Sequence, residues 1–341
     1  MATLWSTGSH QPPLGEPRCR HGLARYTSWN VGGPAEFFAE PRTLAELQHW
    51  LAWAGPEGLS LHSIGAGSNL LISDEGLAGL TLCLRSLRQA PRIDRPTGLV
   101  EVDAGEPLPS LAHLCARAGL AGLEWAVGIP GTVGGAVVMN AGAQGGSMAQ
   151  RLVAAELLDP ASGALLRWSL PQLDYAYRQS RLQLEESHGR PRIVLRAWLQ
   201  LEPGHDPLAV QRRTNSNRSS RIRSQPYTLP SCGSVFRNPE PQKAGRLIED
   251  LGLMGLSIGG AQVSTKHANF IVNTGGATAA DIDALIRQVQ ARVLAERGIS
   301  LHPEVKRLGP FSDAEASAAA ERDNTAGGSR PSPGLRARPG P

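Results

Sequence analysis

Two glycine-rich segments carry residue types that hold phosphate groups in nucleotide-binding proteins. In the first, residues 63–71, Gly65 and Gly67 allow backbone positions that a side chain would block, while Ser68 and Asn69 add short hydrogen-bonding groups. Such a loop can present several backbone N–H donors to phosphate oxygens. The segment matches neither the G-x-G-x-x-G pattern nor a Walker loop, and a tight turn between two strands is the alternative interpretation.

The second segment, residues 128–142, contains five glycines, one proline and no charged residue. An exposed loop normally carries charge, and a core helix does not tolerate so much glycine. The pattern therefore favours backbone that wraps closely around a flat or phosphate-bearing ligand, with a buried packing turn as the alternative. One large nucleotide cofactor, contacted by both segments, explains them better than two independent turns.

Arginines are concentrated between Asp206 and Glu240, a stretch without any acidic residue. Such local positive charge attracts anions, although the net charge of the whole chain is only +4. Tyr227 and Phe236 are the only aromatic residues there that could stack on bases, so a phosphorylated small molecule is favoured over nucleic acid. A solvated basic helix face is the alternative for residues 212–223. The arginines are Arg212, Arg213, Arg218, Arg221, Arg223 and Arg237.

Three single residues are candidates for proton transfer or for binding a carboxylate. Ser234 follows Gly233 and has no G-x-S-x-G context, so it fits a proton donor better than a nucleophile. Arg178 lies among aromatic residues, where a guanidinium can be held rigidly. Glu304 follows a helix stop at Gly298. A turn serine and ordinary surface ion pairs are the alternatives, and the residues by themselves predict a nucleotide-cofactor enzyme with an anionic substrate but no reaction.

Composition narrows the class of protein. A chain of 341 residues with 41% hydrophobic and 19% charged residues can form about two folded domains. The four cysteines are scattered, which indicates neither a zinc site nor a disulfide framework. No run of about 18 apolar residues and no secretion signal is visible, so we expect a cytoplasmic protein without a membrane span and without a metal site.

Helix and strand signals alternate along the chain, and some strands follow one another directly, which predicts an α+β fold. Thr43 and Glu46 form a capping box before one helix, Gly119 ends a second, and Thr278 and Gly298 bracket a third. The candidate strands are residues 61–64, 99–103, 153–159, 193–201 and 270–273.

Taken in order, these segments resemble the UDP-N-acetylenolpyruvoylglucosamine reductase family, a family of bacterial flavoenzymes of peptidoglycan synthesis. The resemblance runs from about Leu23 to Gly309, and several motifs in the same order make it specific. Besides the two glycine-rich segments, the matching motifs are residues 26–35, 177–180, 230–239, 244–249, 263–268 and 298–305.

The resemblance implies a two-lobed FAD-binding domain, of the type shared with vanillyl-alcohol-oxidase-like (PCMH-type) flavoproteins, and a C-terminal α+β domain that closes over the substrate. Both ends of the chain lack apolar periodicity and are expected to be disordered. The expected division is a disordered N-terminus at 1–18, FAD lobes at 19–85 and 86–210, a substrate domain at 211–300, a return to the first lobe at 301–311, and a disordered tail at 312–341.

For the reaction, the resemblance implies that NADPH reduces non-covalent FAD, which then gives hydride to C3 of UDP-N-acetylglucosamine enolpyruvate while a proton reaches C2. Arg178 and Glu304 would hold the carboxylate and enolate, and Ser234 would supply the proton. The chain would act as a monomer. Implied FAD contacts are Gly65, Gly67, Ser68, Asn69, Gly128, Ile129, Pro130, Gly131, Gly134, Gly135, Asn140 and Ala141. Implied substrate contacts are Tyr177, Arg218, Gln225, Asn238, Lys266 and His267.

Three positions depart from the family pattern. Ser224 stands where a phosphate-directed Lys is expected, so a nearby Arg would replace it; Gln144 stands in place of Tyr, and Leu182 in place of Phe. The short span from Arg178 to Gln225 resembles the family branch without an inserted tyrosine-bearing loop. An FAD-linked oxidase and a non-enzymatic nucleotide-binding protein are the alternative functions.

Overall fold

The computed structural model describes residues 17–311. The predicted tail, 312–341, and residues 1–16 of the predicted disordered N-terminus lie outside this range. The strands are β1 (Arg18–Gly22), β2 (Pro34–Ala39), β3 (Leu61–Ile64), β4 (Leu70–Ile72), β5 (Leu77–Cys83), β6 (Arg92–Ile93), β7 (Leu99–Asp103), β8 (Gly142–Ala143), β9 (Gly146–Ser147), β10 (Leu152–Leu158), β11 (Leu165–Ser169), β12 (Ile193–Gln200), β13 (Ser257–Ile258), β14 (Ala261–Val263), β15 (Ile271–Asn273) and β16 (Lys306–Leu308). The helices are α1 (Leu44–Ala54), α2 (Leu108–Arg117), α3 (Val133–Met139), α4 (Leu170–Leu173), α5 (Arg181–Ser187), α6 (Pro207–Ser224), α7 (Ala244–Asp250) and α8 (Ala279–Arg297).

The first sheet has the order β1-β2-β5-β3, with β1 antiparallel to β2 and the other pairs parallel. Helix α1 begins at the predicted cap, where the Thr43 side chain accepts a hydrogen bond from Glu46 N. Its buried face packs with β5 and with Leu158 and Ile193 of the second sheet. The two sheets therefore share one hydrophobic core.

Strand β1 has no counterpart among the predicted strands, and it begins at Arg18, inside the N-terminus expected to be disordered. Its residues are mostly exposed, so the hydrophobic pattern gives no strand signal. The strand is held instead by backbone pairing with β2. His21 also stacks on Phe38, with ring centroids 4.4 Å apart, and the Arg18 guanidinium lies 5.4 Å from the centroid of the same ring.

The second sheet is antiparallel throughout, in the order β11-β10-β12-β7-β6. Its core also contains the buried faces of α2 and α3.

All five strands predicted from the sequence occur, distributed over three sheets, with ends that differ from the predicted ones by at most one residue. Because parallel and antiparallel sheets stand beside separate helices, the predicted α+β class is confirmed.

Helix α3 corrects the view that the second glycine-rich segment cannot be helical. Gly134 and Gly135 both lie in the first turn of this short helix, where the Thr132 side chain accepts a hydrogen bond from Gly135 N. A cap of this kind compensates part of the low helix propensity of glycine. The segment therefore combines an extended stretch, residues 129–132, with a largely buried seven-residue helix.

The C-terminal part of the chain packs a small sheet, β13-β14-β15, against α7 and α8 in a core that includes Trp29 and Leu71 from the first part of the chain. Strand β16 then returns and pairs in parallel with β4. Among residues 17–311, no helix combines the length and apolarity that crossing a membrane requires. The division of the chain at residues 85, 210 and 300 stays a prediction.

Candidate functional site

A cavity of about 550 Å³ lies where the two glycine-rich segments, α6 and the returning C-terminal segment meet. It has the size of a pocket that holds a cofactor or a small ligand. Fourteen of the candidate site residues line it: Gly65, Gly67, Ser68, Asn69, Ile129, Pro130, Gly131, Gly134, Gly135, Ala141, Arg178, Gln225, Ser234 and Glu304.

The two glycine-rich segments touch each other and form one wall of this cavity. The Ser68 hydroxyl donates a hydrogen bond to the Pro130 carbonyl oxygen at 2.7 Å. A Cβ atom on Gly65 would lie 2.6 Å from Thr132 Oγ1, so the close approach requires glycine there. Segments about sixty residues apart in sequence therefore act as a single surface, as expected for one large ligand.

The chemistry of this wall fits a dinucleotide such as FAD. Gly131, Gly134 and Gly135 expose backbone to the cavity without side chains, and the Arg221 guanidinium adds positive charge. A Cβ atom on Gly135 would have only Thr132 Oγ1 within 4 Å, so this position faces open space. Exposed backbone and a cation suit a flat ring system that carries phosphates.

Gly128 and Asn140 are not on the cavity wall, although the resemblance assigns both to FAD. Arg221 covers Gly128 so closely that a Cβ atom there would lie 2.2 Å from Arg221 Cδ. The Tyr227 hydroxyl donates to the Gly128 carbonyl oxygen at 2.9 Å. The amide group of Asn140 is buried and bonded to neighbouring backbone.

Arg178 and Glu304 meet in the cavity as an ion pair, with Arg178 Nε 2.9 Å from Glu304 Oε1. Both side chains are more than four-fifths buried. Arg178 also donates from Nη2 to the Gly142 carbonyl oxygen at 2.5 Å and from Nη1 to the Asn140 carbonyl oxygen at 3.4 Å. The guanidinium is therefore held from two sides.

Backbone pairing brings Glu304 to this position. Glu304 N donates to the Val235 carbonyl oxygen at 2.7 Å, and the Asn69 side chain donates to the Glu304 carbonyl oxygen at 2.9 Å. The segment around Glu304 thus lies between the first glycine-rich loop and the strand-like stretch that follows Ser234. The same arrangement places Ser234 on the cavity wall.

Burial and nearby charges act in opposite directions on Glu304. Removal from water raises the pKa of this carboxyl group, and the guanidinium groups of Arg178 and Arg237 lower it by a smaller amount. The balance leaves the pKa above its ordinary value of 4.5. Glu304 therefore holds a proton at a higher pH than a solvent-exposed glutamate does.

Comparison with known proteins identifies the family. A model described as FAD binding domain matches residues 35–169, and one for the C-terminal domain of UDP-N-acetylenolpyruvoylglucosamine reductase matches residues 225–308. A protein of that name from Synechococcus sp. (strain RCC307) is 60% identical over 297 residues, which cover 87% of this chain and 95% of the relative. The chain belongs to the UDP-N-acetylenolpyruvoylglucosamine reductase family.

Other members of the reductase family agree. The relative from Prochlorococcus marinus (strain MIT 9313) is 56% identical over 294 residues, which cover 86% of this chain and 94% of the relative. The crystal structure of UDP-N-acetylenolpyruvylglucosamine reductase from Thermus caldophilus superposes with a TM-score of 0.70 at 37% identity and covers 84% of this chain and 97% of its own. The predicted family, the FAD-binding domain and the α+β fold are thereby confirmed.

The candidate substrate residues are distributed over three places. Gln225 lines the main cavity and accepts a hydrogen bond from Arg221 Nε at 3.2 Å. Tyr177 and Asn238 line a neighbouring cavity of about 530 Å³, together with Arg237.

Arg218, Lys266 and His267 line neither cavity. Arg218 is exposed on α6. Lys266 Nζ donates to the Ile222 carbonyl oxygen at 2.8 Å, and His267 packs edge-on against Phe270, with ring centroids 4.8 Å apart. The structure thus separates these three residues from the candidate site, and their predicted contact with substrate stays untested.

The arginine concentration lies mostly on one exposed helix. Of the five arginines on α6, only Arg221 lines the cavity, and Arg213 pairs with Glu124 at 2.9 Å. The alternative of a solvated basic helix face therefore describes most of the stretch. Arg221 lines the cavity together with Ser224 and Gln225, whereas Arg223, the cation next to Ser224 in sequence, does not.

Sequence reasoning missed several residues of the wall. Lys306 lines the cavity and pairs with Glu186 of α5. A usable signal existed, because side chains two residues apart on an extended strand share a face, and Lys306 follows Glu304 by two. Arg192, which lines the same cavity and pairs with Asp159 at 3.1 Å, gave no such signal.

The two other departures from the family pattern also lie on the cavity wall. Gln144 has a backbone φ of 50° and donates from Nε2 to the Asn217 carbonyl oxygen of α6 at 3.2 Å. Leu182 is almost fully buried beside the cavity. Both substitutions are thus accommodated without disturbing the contact between Arg178 and Glu304.

We expect Ser68→Ala to weaken FAD binding by roughly 2- to 13-fold, because a neutral hydrogen bond between the glycine-rich segments contributes about 0.5–1.5 kcal/mol. The dissociation constant can be measured by quenching of flavin fluorescence on reconstitution of the FAD-free protein. Ser63→Ala is the matched control, since Ser63 is an exposed residue of the same wall. Equal losses in both variants would contradict the role of the Ser68 bond.

Glu304 should make the free energy of unfolding depend on pH. Because its folded pKa exceeds its ordinary value of 4.5, the folded chain binds more protons above that pH, so stability falls as pH rises through the folded pKa. Each pKa unit of difference between the folded and the unfolded state corresponds to about 1.4 kcal/mol in the free energy of unfolding. Glu304→Gln removes this titration.

We therefore expect the free energy of unfolding of Glu304→Gln, relative to the unsubstituted protein, to increase with pH above 4.5. Loss of the partner of Arg178 adds an offset that does not vary over this pH range. Urea unfolding from about pH 4 to about pH 8 measures the difference. Parallel curves for the two proteins would show that the carboxyl pKa is not raised.

Proposed function

We propose that the chain is an NADPH-dependent flavoenzyme that reduces UDP-N-acetylglucosamine enolpyruvate to UDP-N-acetylmuramate in peptidoglycan synthesis. Family membership supports the reductase activity. The observation that carries the finer proposal is the convergence of a guanidinium, a carboxyl group and a hydroxyl on one cavity that both glycine-rich segments also line.

The residues of the glycine-rich wall, among them Gly65, Ser68, Pro130 and Gly135, would hold FAD. When bound, the flavin would supply the hydride-transfer chemistry that links NADPH to the substrate. The FAD would be bound non-covalently, because the family resemblance matches no Cys or His of this chain to a flavin attachment point.

Arg178 is suited to hold the carboxylate of the enolpyruvyl group. Its Nη atoms are bonded to two carbonyl oxygens and its Nε faces Glu304, which fixes the plane of the guanidinium. When hydride reaches C3, negative charge develops at C2 and on the adjacent carboxylate. A fixed cation there stabilises the transition state more than the ground state.

Glu304 would contribute in its protonated form, which the raised pKa favours. A neutral carboxyl group can donate a hydrogen bond to the substrate carboxylate, whereas an ionised one would repel it. Ser234 would then give its hydroxyl proton to C2, and solvent would restore that proton. Hydride at C3 and a proton at C2 together saturate the double bond and leave the lactyl ether.

Anaerobic spectroscopy tests the function directly. NADPH should bleach the flavin absorbance of the purified protein, and UDP-N-acetylglucosamine enolpyruvate should restore it without oxygen. Reoxidation by oxygen, without any reoxidation by the enolpyruvyl substrate, would indicate the FAD-linked oxidase. A colourless protein that cannot be reconstituted with FAD would leave only the nucleotide-binding alternative.

We expect Ser234→Ala to slow the second half-reaction by about 10²- to 10⁴-fold, the usual contribution of a positioned acid. Reduction of the flavin by NADPH should proceed at the rate of the unsubstituted protein, because Ser234 does not act in that step. Stopped-flow absorbance separates the two halves. Ser231→Ala is the control, since Ser231 is three residues away and is not on the cavity wall. Equal slowing of both half-reactions by Ser234→Ala would refute the assignment.

A further inference from the structure

Asn140 occupies a strained position immediately after α3. Its φ of 43° and ψ of 54° place it in the left-handed region, which asparagine tolerates better than most residues. The residue is buried, with 6% of its surface exposed. A buried amide must find hydrogen-bond partners within the protein, and those partners show what the residue does.

The side-chain amide group of Asn140 forms hydrogen bonds to backbone at both its nitrogen and its oxygen. Nδ2 donates to the Ala176 carbonyl oxygen at 2.9 Å, and Oδ1 accepts from Ala149 N at 3.0 Å. Ala176 lies two residues before Arg178 and forms a tight bridge with Gln179. One side chain thus joins the loop that carries Arg178 to the loop after the second glycine-rich segment.

The main chain of Asn140 acts on the same arginine. Its carbonyl oxygen accepts from Arg178 Nη1, while the nearby Gly142 carbonyl oxygen accepts from Nη2. Arg178 itself has a φ of 57°, an unfavourable value for a residue with a side chain. Such a conformation persists only where several contacts enforce it, and Asn140 provides two of them.

We propose that Asn140 is a positioning residue that fixes the loop and the guanidinium of Arg178, and that it does not contact the cofactor. Its absence from the cavity wall and the engagement of both amide ends support this assignment. The consequence for catalysis rests on the proposed function. The consequence for the conformation of Arg178 does not.

Asn140→Gly isolates the effect of the side chain. Glycine adopts the left-handed conformation without steric cost, while both hydrogen bonds of the side-chain amide group are lost. We expect the affinity for FAD and the rate of flavin reduction by NADPH to stay within about twofold. Reoxidation by UDP-N-acetylglucosamine enolpyruvate should slow by roughly 10- to 100-fold, as expected when a reacting group is misplaced by about an ångström.

Chemical labelling gives a readout that does not depend on activity. Phenylglyoxal modifies accessible arginines, and peptide mass spectrometry can follow Arg178 against Arg181 in the same digest. The Arg178 side chain is 19% exposed and that of Arg181 is 47% exposed. In Asn140→Gly we expect the labelling rate of Arg178 relative to Arg181 to rise severalfold, because the loop is released.

A double substitution tests whether the two residues act together. In an Arg178→Lys background, Asn140→Gly should slow reoxidation little further, since residues that act as a unit give non-additive losses. Additive losses, an unchanged labelling ratio or weakened FAD binding would each overturn the proposal. If Asn140→Gly does not fold, Asn140→Asp, which keeps the side-chain volume but loses the donor to Ala176, carries the same measurements.

The labelling ratio and the FAD affinity also separate this proposal from the proposed function. If the enolpyruvyl substrate fails to reoxidise the reduced flavin of the unsubstituted protein, the proposed function is wrong. A rise in Arg178 labelling in the same protein would still establish the positioning role.

Discussion

The contact between Arg178 and Glu304 is the interaction on which the candidate site depends. Two charges with little exposure to solvent are costly unless they are paired and hydrogen-bonded, and removing one partner leaves the other uncompensated. The arginine comes from a loop before α5 and the glutamate from the segment before β16. The pair therefore forms only when the last described part of the chain has returned to the first part.

That return is held by backbone hydrogen bonds on both sides of Glu304. Lys306 N donates to the Asn69 carbonyl oxygen, and β16 continues this contact as a parallel pairing with β4. On the other side, Arg237 N donates to the His302 carbonyl oxygen. The first glycine-rich loop and the stretch after Ser234 thus share one extended segment. The cofactor wall, the hydroxyl and the carboxyl group are consequently positioned by the same extended segment rather than independently.

Elements with local signals could be predicted from the sequence, and elements that depend on distant contacts could not. Helices α1 and α8 have capping residues at their own N-termini. The composition of the glycine-rich segments likewise indicates close approach of the backbone. Strand β1 is exposed and depends on pairing with β2, so its sequence shows no periodicity. The family motif assigns Asn140 to FAD, but its side chain bonds to Ala176 and Ala149, which no local pattern identifies.

The charge balance around Glu304 explains why burial and ion pairing can coexist there. Arg178 and Arg237 both lower the pKa of the carboxyl group, yet burial outweighs them. With Glu304 ionised, the three groups carry a net charge of about +1, and with Glu304 protonated about +2, because arginine stays charged in either case. The cluster is positive in both states and attracts an anionic ligand. Protonation of Glu304 then removes the one negative charge that would oppose a carboxylate placed against Arg178.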